Sequence, residues 1–206
     1  MNPTQTISRN TILDSVRKNQ PASQQMPTIP HFHTNMPAGL VATFCESIAR
    51  MGGVVVADNV PDLDPFLRAK FPDAKVICSA TPEYAGTIEL ASFKHWSEAS
   101  TIDVCILRSP MGVSETGSIL LSDVELQVNT IAFLAHDLVV LLDPKQIVGN
   151  IHDAYEHSHF KQRPYSVLMT GPSGSGDING ITVHPAQGVK TLTVILSPSP
   201  NAERPG

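Results

Sequence analysis

Short, uninterrupted apolar runs recur along this chain, and stretches with helical periodicity separate them. Runs of this kind are typical of strands that are buried on both faces, whereas Ala38–Met51 and Leu63–Phe71 have the spacing of amphipathic helices. The pattern predicts an α/β fold in which a mostly parallel sheet is covered by helices on both faces. The predicted strands are Val54–Ala57, Lys75–Cys78, Ile102–Leu107, Ser118–Ser122, Leu138–Leu142, Ser166–Met169 and Thr191–Leu196.

Length and composition predict one hydrophobic core. The chain has 206 residues, of which 41% are hydrophobic, and this is enough for a single layered domain. Residues 1–37 are polar and rich in proline, so we expect an N-terminal arm there, with a helix over Ser8–Asn19. We expect residues 38–206 to form the single α/β domain, including a helix over Pro144–His159 that begins at Asp143 as its N-cap.

Charge and hydropathy exclude several classes of partner. The formal net charge is −5, and the 14 basic residues are not clustered, which argues against binding to nucleic acid. No apolar run approaches the roughly 20 residues that a membrane-spanning helix needs, and the polar N-terminus lacks the apolar core of a signal peptide. We therefore expect a cytoplasmic protein that does not insert into membranes.

Cysteine and histidine spacing argues against a cofactor that this chain binds by itself. Cys45, Cys78 and Cys105 are isolated within or beside apolar segments, so disulfides are not expected. An iron–sulfur cluster normally requires four thiolates, and three scattered cysteines do not supply them. His152 and His159 lack the spacing of a zinc-binding helix, so no metal site is expected.

Two glycine-rich loops combine polar side chains with apolar runs. Gly112–Leu121 holds a carboxylate between two glycines, and Thr170–Ile178 repeats the arrangement with two serines and an aspartate. Glycine permits positive φ angles and the close approach of a ligand, although each loop alone also suits a tight connection. We expect both loops to leave the carboxyl ends of parallel strands and therefore to form one crevice there. The candidate ligand-binding residues are Gly112, Ser114, Thr116, Gly117, Gly171, Ser173, Ser175 and Gly176.

Three side chains in or near these loops are candidates for catalysis. Glu115 can act as a general base or as a nucleophile, or it can cap backbone amides of its own turn. Asp177 can accept a hydrogen bond from a ligand hydroxyl or cap the residues that follow it. His136 precedes a buried strand, where an imidazole can reach the crevice or serve as a partly buried polar residue.

The two loops, together with His136, resemble the lactate-utilization (LUD) domain family, and the lactate utilization protein C family most closely. The motifs are Gly-Val-Ser-Glu-Thr-Gly-Ser at 112–118 and Gly-Pro-Ser at 171–173 followed by Asp-Ile at 177–178. The resemblance implies the fold of ribose-5-phosphate isomerase, glucosamine-6-phosphate deaminase and the CoA transferases. It also implies a role in the oxidation of L-lactate to pyruvate beside iron–sulfur partner proteins, which would carry the clusters.

The chain departs from the family pattern in the second loop. Gly174 replaces an arginine, Gly176 an alanine and Asn179 a glutamate, so an anchor for an anion is lost, and Lys190 or Arg108 are possible substitutes. Three functions stay open. They are an accessory or ligand-binding component of lactate oxidation, an autonomous transferase or isomerase that uses Glu115, and a non-catalytic sensor of a small anionic metabolite.

Overall fold

The computed structural model describes residues 3–27, 38–57 and 60–200. Contacts within the chain divide it into two units, Met1–Phe32 and His33–Gly206. The first unit contains helix α1 (Pro3–Lys18), which begins earlier than the predicted helix over Ser8–Asn19. Residues 28–37 of the predicted arm lie outside the described residues, so the proposed boundary between arm and domain at residue 37 stays a prediction.

The second unit alternates strands and helices along the chain. Its helices are α2 (Leu40–Arg50), α3 (Leu63–Lys70), α4 (Asp123–Leu126), α5 (Ile131–Leu134), α6 (Ile151–Glu156) and α7 (Ser158–Lys161), with 3-10 turns at Leu90–Ser92, Trp96–Thr101 and Pro144–Gln146. Its strands are β1 (Val54–Val56), β2 (Ile77–Ser79), β3 (Val104–Ser109), β4 (Gly112–Val113), β5 (Ser118–Ser122), β6 (Asp137–Leu142), β7 (Ile147–Val148), β8 (Ser166–Met169), β9 (Ser175–Ile178), β10 (Ile181–Val183) and β11 (Thr191–Leu196).

Five strands form a parallel sheet, which confirms the predicted α/β class. Their order is β1-β11-β6-β3-β2, and every neighbouring pair is parallel. In this register Cys78 of β2 lies beside Cys105 of β3, and both thiols are free and buried. The carboxyl ends of the five strands therefore meet at one edge, which we call the carboxyl edge, and their first residues meet at the opposite amino edge.

Alternation along the strands divides the core between the two faces of this sheet. In β6, Leu138, Val140 and Leu142 pack in one cluster with Phe44 and Ile48 of α2. The intervening residues of β6 face the other way and pack with the α3 side of the sheet, in a second cluster that contains Leu67. Because successive side chains of a strand point to opposite faces, uninterrupted apolar runs are buried on both sides.

A second sheet packs on the α2 side, and the sequence did not predict it. Its order is β7-β4-β5-β8, with β5 antiparallel to both β4 and β8. Ile119 and Leu121 of β5 face the main core, whereas Leu120 packs with Ala154 of α6 on the outer face. The predicted single helix over Pro144–His159 is wrong, because this segment contains a 3-10 turn, β7, α6 and α7, and β7 pairs with β4.

The hairpin of β9 and β10 follows the second glycine-rich loop. Its two-residue tip is Asn179-Gly180, and both residues have positive φ angles, 56° and 71°. Asparagine followed by glycine is the preferred sequence for such a turn, because both central positions require positive φ.

None of the helices in the described ranges combines the length and apolar character needed to cross a membrane.

Candidate functional site

The first glycine-rich loop is the turn of the β4–β5 hairpin, and it packs against α2. Ser114 is buried, and its hydroxyl donates to the carbonyl of Leu40 at 2.6 Å. Gly117 has a φ of +69°, and a Cβ at this position would lie 2.3 Å from the backbone nitrogen of Ile48. Glycine is needed here because the backbone of a helix, and not a ligand, approaches the turn.

The second glycine-rich loop packs against the end of the same helix. Gly171 has a φ of +70°, and a Cβ here would lie 2.2 Å from the carbonyl oxygen of Met51. The amide of Ser173 donates to Val189 just before β11, and its hydroxyl donates to the carbonyl of Gln187. This loop follows β8 in the second sheet, so the expectation that both loops leave the carboxyl ends of parallel strands is wrong.

A short chain of hydroxyl groups joins the two loops. The Thr116 and Ser118 hydroxyl oxygens are 2.6 Å apart, and the Ser118 hydroxyl oxygen is 2.5 Å from that of Thr170. A small cavity of about 230 Å³ lies beside the second loop, lined by residues 169–173 and 187–189 together with Phe133. The predicted proximity of the loops is therefore observed, close to the amino edge of the parallel sheet.

The three candidate catalytic side chains are exposed. The carboxylate of Glu115 accepts a 3.3 Å hydrogen bond from the backbone amide of Ile151, the first residue of α6. Asp177 lies in β9, where its amide donates to the hydroxyl of Ser175 at 3.4 Å, and His136 precedes β6 at the amino edge. Within the described residues, no hydrogen bond or ion pair joins these three side chains to one another. Their catalytic roles stay predictions.

A larger cleft lies elsewhere, at the carboxyl ends of β2, β3 and β6. Its volume is about 530 Å³, within the range of small-molecule sites, and its position is the usual ligand position in an α/β sheet. We call it the carboxyl-edge cleft. It is lined mainly by residues at or just after these strands and by parts of α4, α7 and the segment after β11, namely Ala80, Thr81, Pro82, Glu83, Arg108, Ser109, Pro110, Val124, Glu125, Asp143, Gln146, His159, Ser199 and Pro200.

Arg108 of β3 forms an ion pair within this cleft. Its Nε donates to Glu83 Oε1 at 2.5 Å, and its Nη1 donates to the carbonyl of Ser197 at 3.0 Å. The other oxygen of Glu83 accepts from the Thr81 hydroxyl. Only 19% of the Arg108 side chain and 21% of the Glu83 side chain are exposed, so solvent screens this pair less than a surface pair.

Asp143 is a buried carboxylate that fixes the wall of the cleft. It is 3% exposed, and its two oxygens accept hydrogen bonds from the amides of Lys145 at 2.9 Å and Ser199 at 2.8 Å. The predicted N-cap role of Asp143 is confirmed, although it caps a 3-10 turn. The same side chain holds the segment after β11 beside β6, and this segment forms one side of the cleft.

Glu125 belongs to a capping box at the start of α4. Its carboxylate accepts from the amide of Ser122 at 3.0 Å and from the Ser122 hydroxyl. The hydroxyl oxygen of Ser122 in turn accepts from the amide of Val124 at 3.3 Å. This reciprocal arrangement satisfies the free amides of the first helical turn and holds Glu125 at the edge of the cleft.

His159 reaches the cleft from α7, beside a second histidine. Its ring stacks on that of His157, with centroids 5.1 Å apart. Burial, together with the neighbouring His159, lowers the pKa of His157, so a neutral imidazole accepts the 3.4 Å hydrogen bond from the His159 amide. No cluster of three metal-ligating side chains occurs among the residues that the structure describes.

Comparison with known proteins identifies the family. A model of the LUD domain matches residues 86–197, which is more than half of the chain. The chain belongs to the LUD domain family. The fold is similar to the crystal structure of a DUF162 family protein from Deinococcus radiodurans, with 15% sequence identity and a TM-score of 0.59, covering 80% of this chain and 99% of that chain. No curated protein matches the chain.

The LUD match divides the residues of the carboxyl-edge cleft into two groups. Arg108, Glu125, Asp143 and His159 lie inside the matched range, whereas Glu83 precedes it. The family is associated with lactate utilization, which agrees with the resemblance in the two glycine-rich loops. Arg108 was predicted from the sequence as an anion partner, whereas Glu83 and the cleft were not predicted. The available signal was the position of polar residues directly after predicted parallel strands.

Proposed function

We propose that this LUD domain protein is a ligand-binding component of L-lactate utilization and that it binds a small 2-hydroxy or 2-keto acid in the carboxyl-edge cleft. The proposal rests on the N–H donors of the Arg108 guanidinium. Guanidinium has five N–H donors, and three of them donate to Glu83 and Ser197, so two have no partner among the described residues and can bind a ligand carboxylate. The planar fork of arginine suits a carboxylate because it can form paired hydrogen bonds.

Acceptor groups elsewhere in the cleft support a ligand that also carries a hydroxyl. Glu125, Asp143 and Gln146 have side-chain oxygens, and each lines the same cleft as Arg108. A hydroxy acid offers a carboxylate for the guanidinium and a hydroxyl proton for one of these oxygens. L-Lactate has both groups, and its keto acid pyruvate keeps the carboxylate.

The oxidation itself requires a redox centre, and we propose that iron–sulfur partner proteins supply it in the cytoplasm. Four thiolates normally hold such a cluster, and this chain has three cysteines. Cys78 and Cys105 are buried in the core of the parallel sheet, away from any exposed metal position. The role of this chain is then to hold the substrate or product while a partner exchanges electrons.

The contacts of Glu115 favour this binding role over an autonomous transferase or isomerase. Its carboxylate is engaged with the first amide of α6, and Glu115 does not line the carboxyl-edge cleft. A nucleophile or general base has to reach the reacting atom of the bound ligand. A non-catalytic sensor would use the same Arg108 contacts. An assay of lactate oxidation with the partner proteins separates the two roles, because omission of this chain abolishes oxidation only if the chain is a component of the pathway.

Calorimetry with matched ligands and variants tests the proposal. We expect L-lactate and pyruvate to bind the isolated protein, and we expect the uncharged analogue L-lactamide not to bind, because the guanidinium needs a carboxylate partner. Arg108→Met should abolish binding of L-lactate. Arg68→Met is the matched control, since Arg68 forms an exposed ion pair with Asp64 on α3.

Removal of Arg108 leaves Glu83 without its partner, so the fold needs a separate check. A double variant, Arg108→Met with Glu83→Gln, removes both charges and avoids an unpaired carboxylate. Circular dichroism and thermal melting should show that this variant is folded, and it too should fail to bind L-lactate. Retention of L-lactate affinity in either folded variant would contradict the proposed site.

A further inference from the structure

We infer that Glu83 is a selectivity residue, which makes the carboxyl-edge cleft accept acids with one anionic group and reject acids that carry a second carboxylate or a phosphate. This inference rests on the proposed function, because it assumes that Arg108 receives the ligand carboxylate. It adds the class of ligand that the site excludes. Glu83 lies before the range matched by the LUD model.

The charges that line the cleft are unequal. Its carboxylates belong to Glu83, Glu125 and Asp143, and its guanidinium belongs to Arg108. Glu83 already neutralises Arg108 through the 2.5 Å contact to Nε. A ligand with one carboxylate can share the guanidinium, whereas a second anionic group on the same ligand meets an excess of carboxylates, with the His159 imidazole as the other titratable side chain of the cleft.

Three backbone amides at the cleft are already engaged by side chains of the described part of the chain. Turn and helix N-termini usually bind phosphates through free N–H groups. Here the amides of Lys145 and Ser199 donate to Asp143, and the amide of Val124 donates to Ser122. The chain's own side chains therefore occupy these donors, and a phosphate would have to displace them.

Glu83 is held in place, which allows it to repel a ligand group. Its Oε2 accepts from the hydroxyl of Thr81, and its Oε1 accepts from Arg108. The next residue, Tyr84, is attached to α3 by a hydrogen bond from its hydroxyl to Asp64 at 3.3 Å. Because Glu83 and the segment that carries it are anchored at several points, the carboxylate does not need to be ordered when the ligand enters.

Matched pairs of acids test the inference by calorimetry. L-Malate is L-lactate with a second carboxylate, and 3-phospho-D-glycerate is D-glycerate with a phosphate. We expect the wild-type protein to bind L-lactate and D-glycerate at least about tenfold more tightly than their dianionic counterparts, a ratio on the scale of one close like-charge contact. In Glu83→Gln, both ratios should fall by about tenfold because the repelling charge is absent.

Two further variants complete the test. Glu83→Asp keeps the charge and should keep most of the discrimination, whereas Glu89→Gln, an exposed glutamate outside the cleft, should leave both ratios unchanged. Unchanged ratios in a folded Glu83→Gln protein that still binds L-lactate would overturn the inference alone. Failure of the wild-type protein to bind L-lactate would overturn the proposed function and this inference together.

Discussion

Asp103 and Val76 exchange two hydrogen bonds across the amino edge of the parallel sheet. The amide of Val76 donates to Asp103 Oδ2 at 2.8 Å, and the amide of Asp103 donates to the Val76 carbonyl at 2.9 Å. Asp103 Oδ2 also accepts from the amide of Lys75 at 2.8 Å. Donation from Val76 and then from Lys75, with a smaller contribution from His136, holds the pKa of Asp103 below its usual value.

This contact predicts a specific loss of stability in acid. A carboxyl group whose pKa is lowered by folding stabilises the native state above its unfolded pKa of about 3.9, and the stabilisation is lost as the pH falls through the lower folded pKa. Asp103→Asn should therefore reduce the free energy of unfolding by about 1 kcal/mol at pH 7. The difference from the wild-type protein should shrink as the pH falls below about 4, where the unfolded chain begins to bind the proton, and it should be smallest once the pH is below the lower folded pKa.

Urea unfolding at pH 7 and at several acidic pH values measures this effect. The control is Asp73→Asn, because Asp73 is exposed in the turn before β2. A constant stability difference between Asp103→Asn and the wild-type protein at every pH would contradict the assigned role of the Asp103 charge.

The glycines of the two loops are predicted to serve folding. Gly171→Ala should lower the free energy of unfolding by about 3 kcal/mol, because alanine disfavours positive φ and its Cβ would contact Met51. Gly176→Ala is the matched control in the same segment, since no atom lies within 4 Å of its added Cβ, and it should change stability by less than about 0.5 kcal/mol. Equal stabilities for the two variants would argue that Gly171 is conformationally free to serve a ligand.

Glu115 is predicted to contribute modestly to stability and not to ligand binding at the carboxyl-edge cleft. Glu115→Gln keeps an oxygen acceptor for the Ile151 amide but loses the favourable charge at the start of α6, so the free energy of unfolding should fall by less than about 1 kcal/mol. Thermal melting and L-lactate calorimetry test both parts, with the exposed Glu46→Gln of α2 as control. Loss of L-lactate binding at an unchanged melting temperature would return Glu115 to the site.

The purified protein is predicted to lack an intrinsic redox centre. It should be colourless and should not oxidise L-lactate with soluble electron acceptors, because its three cysteines are too few for a cluster held by four thiolates. Visible absorption, iron analysis and an L-lactate oxidation assay provide the measurements. A stoichiometric flavin or iron–sulfur spectrum from the isolated chain would be incompatible with the proposed division of labour between this chain and its partners.

The strands of the parallel sheet were predictable because burial on both faces leaves a continuous apolar run. The prediction for Thr191–Leu196 matches β11 of this sheet in both bounds, and those for Ser118–Ser122 and Ser166–Met169 match β5 and β8 of the second sheet in both bounds. The direction of β8 was not predictable, since an apolar run does not specify which strand it pairs with. The two-residue strands β4 and β7 are too short to show any period, so the second sheet and its effect on Pro144–His159 required the tertiary structure.

The candidate site shows the same division between local and tertiary signals. Asp143 as an N-cap follows from local backbone chemistry, and the structure confirms it. The ion pair of Glu83 with Arg108 joins residues that are 25 positions apart, and the close approach of α2 to both glycine-rich loops is also a long-range contact. A glycine that accommodates a helix and a glycine that accommodates a ligand look alike in sequence, because both require a missing side chain.

The adjacent positions of Cys78 and Cys105 give the chain a chemical reporter of its own unfolding. Burial raises the pKa of Cys78 to about 11, and burial together with Cys78 raises that of Cys105 well above its ordinary value. Because only the thiolate reacts with disulfide reagents, the thiols of Cys78 and Cys105 are unreactive in the native state. Cys45, in contrast, is partly exposed. The number of thiols that react per chain therefore shows whether the parallel sheet has opened, and it distinguishes global unfolding from local movements around the cleft.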